Sequence, residues 1–331
     1  MTIHLDRDLN ASAYQGAEHL LNYCAKVNVS DKVLVIYDRE TLKVAKFLFD
    51  CAKTVSDHVL FTEIPLMTNH GQEPPPSVAQ EMLRSTLILA VTKFSMAHTQ
   101  ARLNSQNFGA RYLSLPDYSV DLLASPCIFG VNSSQLAQMG RLAEVLSFGS
   151  IVKVTSLNGT NLDIDISGRS ANNCPGIVSG PGDLGSPPDM EVNICPVENK
   201  SNGLIIVDGS VTHDRIGLLR ESVSLEINGG QITNMSGSQD ILDELRFIFK
   251  AAKSDKAYTL AELGVGFNEK ANLCGQMLVD EGAADCLHFG FGANHTVGGD
   301  NNVSFHIDFV MRNGSVVVDG KTVIEHGKVV I

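Results

Sequence analysis

The stretch "KVLVIYD" (32–38), "RETLKVAKFLFDCAKTV" (39–55), "DHVLFTEIPL" (57–66) runs apolar, amphipathic, apolar. The outer runs have strand length and the middle one repeats apolar residues at helical spacing, which predicts a β-α-β unit with parallel strands. Further on, "QEPPPS" (72–77) opens another helix, and "STLILAVT" (85–92) reads as a buried strand. "SMAHTQARLNSQNFGA" (95–110) then reads as a helix and "RYLSL" (111–115) as a short strand. Residues 1–150 are therefore expected to form a doubly wound α/β domain.

The first turn of that domain, "YDRET" (37–41), lacks the glycines that let a dinucleotide pyrophosphate approach the backbone. A G-x-G-x-x-G match occurs at "GPGDLG" (180–185), but it contains proline and is followed by "SPPD", where a helix should open; it reads as a loop. A nucleotide is not the expected ligand.

After Ser150 the texture changes to alternating runs with turn residues between them, as in "SIVKVTSLNGTNLDIDISG" (150–168), "MEVNICPVENKSNGLIIVDGSV" (190–211) and "SVSLEINGGQITNM" (222–235). Residues 151–331 are expected to form a second domain of α+β type, sheet-rich and barrel-like. One helix interrupts it, "SQDILDELRFIFKAAKS" (238–254), with Ser238 placed to cap it. The tail "SVVVDGKTVIEHGKVVI" (315–331) reads as hairpins turning at Asp319-Gly320 and His326-Gly327.

The 331 residues carry 25 Lys plus Arg against 37 Asp plus Glu, a formal charge of −12, with no basic run fit to neutralise a phosphate backbone. Nucleic acid is not an expected partner. The seven scattered cysteines form no C-x-x-C pair and read as small buried thiols, and no stretch approaches a membrane span or a signal peptide. The expected setting is the reducing cytoplasm.

Side chains two apart on a strand share a face. In "FHIDF" (305–309), His306 and Asp308 share one face over an apolar back, a ready two-ligand metal clamp. In "HFGFG" (288–292) His288 lies beside Gly290 and Gly292, and in "ELGVGF" (262–267) Glu262 lies beside Gly264 and Gly266. Each segment offers one ligand-type side chain and two glycines that clear space, a pattern that suits a cavity. The competing reading is two glycine-kinked strands whose polar face meets solvent.

"MEVNICP" adds Glu191 and "VDEGAAD" adds Glu281, while Asp280, Asp285 and Asp300 read as solvated surface groups. Glu191, Glu262, Glu281, His288, His306 and Asp308 together supply four carboxylates and two imidazoles. Mixed oxygen and nitrogen donors of this kind suit one or two divalent ions that polarise a carbonyl and generate hydroxide near neutral pH. With no G-x-S-x-G elbow, H-E-x-x-H or P-loop in the chain, activated water is the expected attacking group.

Taken in order, "MEVNICPVENKSNG", "AELGVGFN", "LVDEGAADCLHFGFG", "GGDNNVSFHID" and "VVVDGK" resemble the thermophilic aminopeptidase family (aminopeptidases T and S), metallopeptidases with two metal ions. The resemblance implies that Glu191, Glu262, His288, His306 and Asp308 are metal ligands, and that Glu281 is a further ligand or the general base. Glu262 and Glu281 are the candidates for that base. Where those enzymes carry a tyrosine seven residues after the first histidine, this chain has His295, whose N–H can donate to an oxyanion. The resemblance further implies zinc, cobalt or manganese, a small peptide or amide substrate, and a homodimer.

The tail also resembles a ring-cleaving iron enzyme family, the 2,5-dihydroxypyridine dioxygenases, in its "GG" loop and H-x-D strand. There the position of Glu262 carries histidine, which completes a two-histidine, one-carboxylate Fe(II) triad; here His288 is the candidate for that place. The expectation is a metal-dependent hydrolase of peptide or related amide bonds, with a mononuclear Fe(II) dioxygenase or a non-catalytic relative as alternatives.

Overall fold

The computed structural model describes residues 2–295 and 297–331, and the chain divides into two compact units. The first comprises 1–131 with 176–188, and the second 132–175 with 189–331. The break expected near Ser150 differs from this division by the helix Leu136–Phe148, which belongs to the second unit, and by the return of 176–188 to the first.

In the first unit a parallel sheet runs Val59–Glu63, Val33–Tyr37, Leu87–Val91, Arg111–Ser114, Leu184–Gly185 in spatial order. Val33–Ile36 and Leu87–Val91 are fully buried, as expected of strands covered on both faces, and the helix Leu42–Lys53 buries Val44, Phe47, Leu48 and Cys51 at helical spacing. Each such side chain contributes about 1.5–3 kcal/mol by leaving water. The last strand corrects the sequence reading of "GPGDLG" as a loop throughout: Leu184 and Gly185 pair with Tyr112 and Leu113. Two residues are too few to show a strand period.

At the first strand's carboxyl end, Asp38 takes hydrogen bonds from the backbone N–H groups of Glu40 at 3.0 Å and Lys93 at 2.7 Å. Donors that a doubly wound domain commonly offers to phosphate are here satisfied by a buried carboxylate, which agrees with the absence of the glycine fingerprint.

The second unit holds two antiparallel sheets. The eight-stranded sheet runs Gln231–Ser236, Val223–Asn228, Asn202–Val207, Asn161–Asp165, Ile151–Thr155, Ser315–Val318, Lys321–Glu325, Lys328–Val329. Its tail hairpins turn where expected, with Asp319 at φ 47° and Gly320 at φ 83° in the left-handed region that a two-residue turn requires. The seven-stranded sheet runs Gly217–Leu218, Ser210–Val211, His306–Arg312, Cys286–Gly292, Leu260–Gly266, Glu191–Ile194, Asn172–Cys174. Both have free ends in their strand order among the described residues, so the barrel-like expectation gives way to two open sheets. The expected helix is Gln239–Ala251, with Ser238 at its N-cap position but without a side-chain capping bond.

Cys24, Cys51, Cys127, Cys195 and Cys286 are buried, Cys174 is half-buried and Cys274 exposed, and none is in a disulfide. No described helix is long and apolar enough to cross a membrane.

Candidate metal centre

Four central strands of the seven-stranded sheet supply the candidate ligands. Their apolar face carries Leu263, Val265, Phe289, Phe291, Ile307 and Phe309, all buried, with Phe291 and Phe309 meeting edge to face at 5.5 Å between ring centroids. The opposite face carries Glu191, Glu262, His288, His306 and Asp308. Register brings each ligand over a glycine: Glu191 opposite Gly266, His288 opposite Gly264, Glu262 and Asp308 on either side of Gly290, and His306 opposite Gly292.

These glycines make room in a literal sense. A Cβ at Gly264 would lie 2.0 Å from Cε1 and Nε2 of His288, and one at Gly290 would lie 2.7 Å from His306 Nε2 and 2.8 Å from Glu262 Cβ. Along these two strands the face does not meet solvent, because Cys286–Gly292 and Leu260–Gly266 are buried along their whole length. This removes the reading of two solvent-facing kinked strands.

The donors form two groups that share Glu262. His288 Nε2 stands 3.0 Å from Glu191 Oε2 and 3.8 Å from Glu262 Oε1. His306 Nε2 stands 3.5 Å from Glu262 Oε2 and 3.1 Å from Asp308 Oδ1. Within Glu191–Glu262–His288, and likewise within Glu262–His306–Asp308, one ligand atom per residue lies within 4.8 Å of the others. Glu191, Glu262, His288 and Asp308 are buried, whereas the His306 side chain is 33% exposed, so the centre opens beside His306.

Several details fit a cation. Glu191 Oε2 is buried and stands 3.0 Å from His288 Nε2 without the alignment of a hydrogen bond, which leaves it available to a cation. Asp189 Oδ1 and Glu281 Oε1 are likewise buried without a partner. His306 Nδ1 lies 2.8 Å from the Ala293 carbonyl, which can only accept; Nδ1 is the donor, and in the neutral ring the Nε2 lone pair faces Glu262 and Asp308. A divalent metal is the cofactor this mixture of imidazole and carboxylate suits.

Charge within the cluster is compensated internally. Burial opposes charge on His306, but Asp308 and Glu262 outweigh it and raise its pKa to about 10. Burial likewise opposes charge on His288, and Glu191 and Glu262 hold its pKa well above the usual histidine range. Burial pushes Asp308 up, but His306 carries it below the carboxylate range. Burial, then Asp308, holds Glu281 well above that range, and burial, then Glu191, does the same for Asp189. The imidazoles thus stand in for cationic charge that carboxylates at this depth require.

Of the residues predicted from sequence, Glu191, Glu262, His288, His306 and Asp308 converge. Glu281 is half-buried with its carboxyl against Asp308. His295 is exposed on the turn after Cys286–Gly292 and belongs to neither ligand group. Asp280 is not the surface group the sequence suggested: it is fully buried, accepting from Ser210 Oγ at 2.5 Å and from the backbone of Cys274 at 2.7 Å and Gly275 at 2.8 Å. Asp300 is exposed and Asp285 half-buried.

Sequence reasoning missed three groups. Thr212 Oγ1 lies 3.4 Å from Asp308 Oδ2 and accepts from the Asp308 backbone N–H at 3.3 Å. Asn193 Nδ2 donates to Glu191 Oε1 at 2.6 Å, and Asp189 lies buried two residues before Glu191. The two-residue period through Glu191 carried a signal for the last two; Thr212 had none.

Residues 63–331 match the family model NicX, 2,5-dihydroxypyridine 5,6-dioxygenase. The chain belongs to the 2,5-dihydroxypyridine 5,6-dioxygenase family. A family member from Pseudomonas putida KT2440, named 2,5-dihydroxypyridine 5,6-dioxygenase, is 28% identical over 145 residues, a segment spanning 41% of this chain and 41% of that relative's length. The solved 2,5-dihydroxypyridine dioxygenase of Pseudomonas putida KT2440 superposes with a TM-score of 0.82 at 19% identity, covering 97% of each chain. Aminopeptidase T (AmpT) of Thermus thermophilus superposes with a TM-score of 0.71 at 13% identity over 97% of this chain and 100% of that one. The aminopeptidase resemblance thus extends to the scaffold, while family membership lies with the dioxygenases.

Proposed function

We propose that the chain is a ring-cleaving dioxygenase acting on a small hydroxylated aromatic ring, with one Fe(II) held by Glu262, His306 and Asp308. The observation that carries the reading is this donor group, which joins Glu262 to the two residues of the H-x-D strand in a chain of the 2,5-dihydroxypyridine 5,6-dioxygenase family. One imidazole and two carboxylates are ligands that Fe(II) accepts. When bound, the metal supplies the redox chemistry that brings O2 and an electron-rich ring together.

The chain's own residues do the rest. Ala293 fixes the His306 tautomer, Thr212 steadies Asp308, and the open side at His306 admits the ring. Glu281, whose pKa burial and then Asp308 raise well above the usual carboxylate range, stands with its carboxyl against the ligand carboxylate of Asp308. A homodimer and a cytoplasmic setting belong to the same proposal, the former checked by sedimentation.

A second reading, hydrolysis of an amide by metal-activated water, is favoured by one observation: Glu191 and His288 form a further donor group that shares Glu262, as a two-ion centre requires. Oxygen uptake by Fe(II)-loaded protein with 2,5-dihydroxypyridine, beside amine release from aminoacyl amides by zinc-, cobalt- or manganese-loaded protein, separates the two. Uptake is expected; amine release without uptake overturns the dioxygenase in favour of the hydrolase.

A further inference from the structure

The polar face of the seven-stranded sheet carries a pair of amides, Asn193 buried and Asn172 half-buried, that the donor groups do not explain. Asn193 is 4% exposed, stands opposite Gly264 and shares the face of Glu191. An apolar residue would fit its burial, so its polarity demands partners. It has two: Nδ2 donates to Glu191 Oε1 at 2.6 Å, and Oδ1 accepts from Asn172 Nδ2 at 2.8 Å across the adjoining strand. Asn172 Nδ2 also reaches the Val297 carbonyl at 3.1 Å.

The directions are fixed by chemistry. A carboxylate and a backbone carbonyl both only accept, so a chain joining them must donate at each end. Two asparagines achieve this in one arrangement: both hydrogens of Asn172 Nδ2 are used, on Val297 O and on Asn193 Oδ1, which turns the Asn193 amino group towards Glu191. The Val297 end is itself anchored. Glu198 accepts from Asn294 Nδ2 and from the Asp300 backbone N–H, each at 2.9 Å, and Arg169 pairs with Glu198 and donates to the Gly298 carbonyl at 2.6 Å.

We infer that Asn193 and Asn172 are positioning residues for Glu191. They hold Oε1 so that Oε2 faces His288, and they tie the state of that carboxylate to the turn after Cys286–Gly292, which carries His295. The inference rests on the second donor group above, Glu191 with His288 and Glu262, holding a metal ion. Orienting partners of this kind typically alter metal affinity about 10- to 100-fold.

The test titrates the full metal-free chain with Co(II) by calorimetry and follows hydrogen exchange at Val297–Asp300. Asn193→Ala and the isosteric Asn193→Asp are expected to weaken by about 10- to 100-fold the Co(II) binding that Glu191→Gln removes, leaving intact the binding that Asp308→Asn removes. A merely structural role would lower both together. Co(II) is expected to slow exchange in the turn of the wild-type chain, and this response is lost in Asn172→Ala, whose site is half-buried on an end strand; that variant decides if the Asn193 variants do not fold. Wild-type binding in the Asn193 variants alongside loss in Glu191→Gln overturns the relay alone. Wild-type binding in Glu191→Gln overturns the ligand reading on which it rests.

Discussion

Gly264 and His288 face one another across paired antiparallel strands, and the imidazole fills the volume that any Cβ at residue 264 would need. The glycine is therefore part of the centre although it donates no atom to it. Gly264→Ala is expected to displace the ring, reduce divalent-metal affinity at least about tenfold and cost about 1–3 kcal/mol through overpacking. Metal titration with melting of the metal-free protein checks this; wild-type affinity would show that the ring is not a ligand.

Glu262 is shared between the two donor groups, whereas Asp308 belongs to one. Glu262→Gln is expected to lower metal binding at both groups, and Asp308→Asn only at the group that includes His306. Counting ions per chain in each variant by elemental analysis after dialysis checks this. Equal losses in the two variants would mean that the groups are a single site.

The phenyl face behind the centre is a stability element. Phe309 is fully buried and packs edge to face on Phe291. Phe309→Ala is expected to cost about 3–5 kcal/mol, measured as a lower urea midpoint, while Phe309→Leu costs distinctly less.

Acid stability in the first unit depends on Asp31 and Arg111. Burial raises the Asp31 carboxyl, but the Arg111 guanidinium at 2.6 Å, with donors from Thr86 and Asn28, outweighs burial and leaves the pKa below its ordinary value. The folded state then binds fewer protons than the unfolded one, so this stabilisation is fully present above about pH 4 and disappears as pH falls through the depressed folded value. Urea midpoints from pH 6 to pH 2.5 are expected to fall more steeply in the wild type than in Asp31→Asn, with the variant less stable at neutral pH. Parallel curves would contradict it.

Much of the centre was legible because strand periodicity assigns faces without a structure: Glu262 with its glycines, His288 with its glycines and the His306–Asp308 pair all lie as the two-residue period requires. Register was not legible. That Glu262 stands over Gly290 depends on a register shift between Leu260 and Glu262, a local irregularity that no side-chain pattern announces. Asp280 was misread for a similar reason, since its donors, Ser210 and the backbone at Cys274 and Gly275, make a lone carboxylate a buried one only after folding. Membership in the dioxygenase family was harder to read than the donor cluster, because the motifs around Glu262, His288 and the His306–Asp308 pair resemble those of the aminopeptidases, with which the chain shares its scaffold.

The most direct test is the metal content of protein purified without chelator and reloaded anaerobically with Fe(II). At least one tightly held ion per wild-type chain, absent from Glu262→Gln, is the result predicted. A wild-type chain that retains no ion, or a Glu262→Gln chain that retains it as well as the wild type, contradicts a centre built on this glutamate.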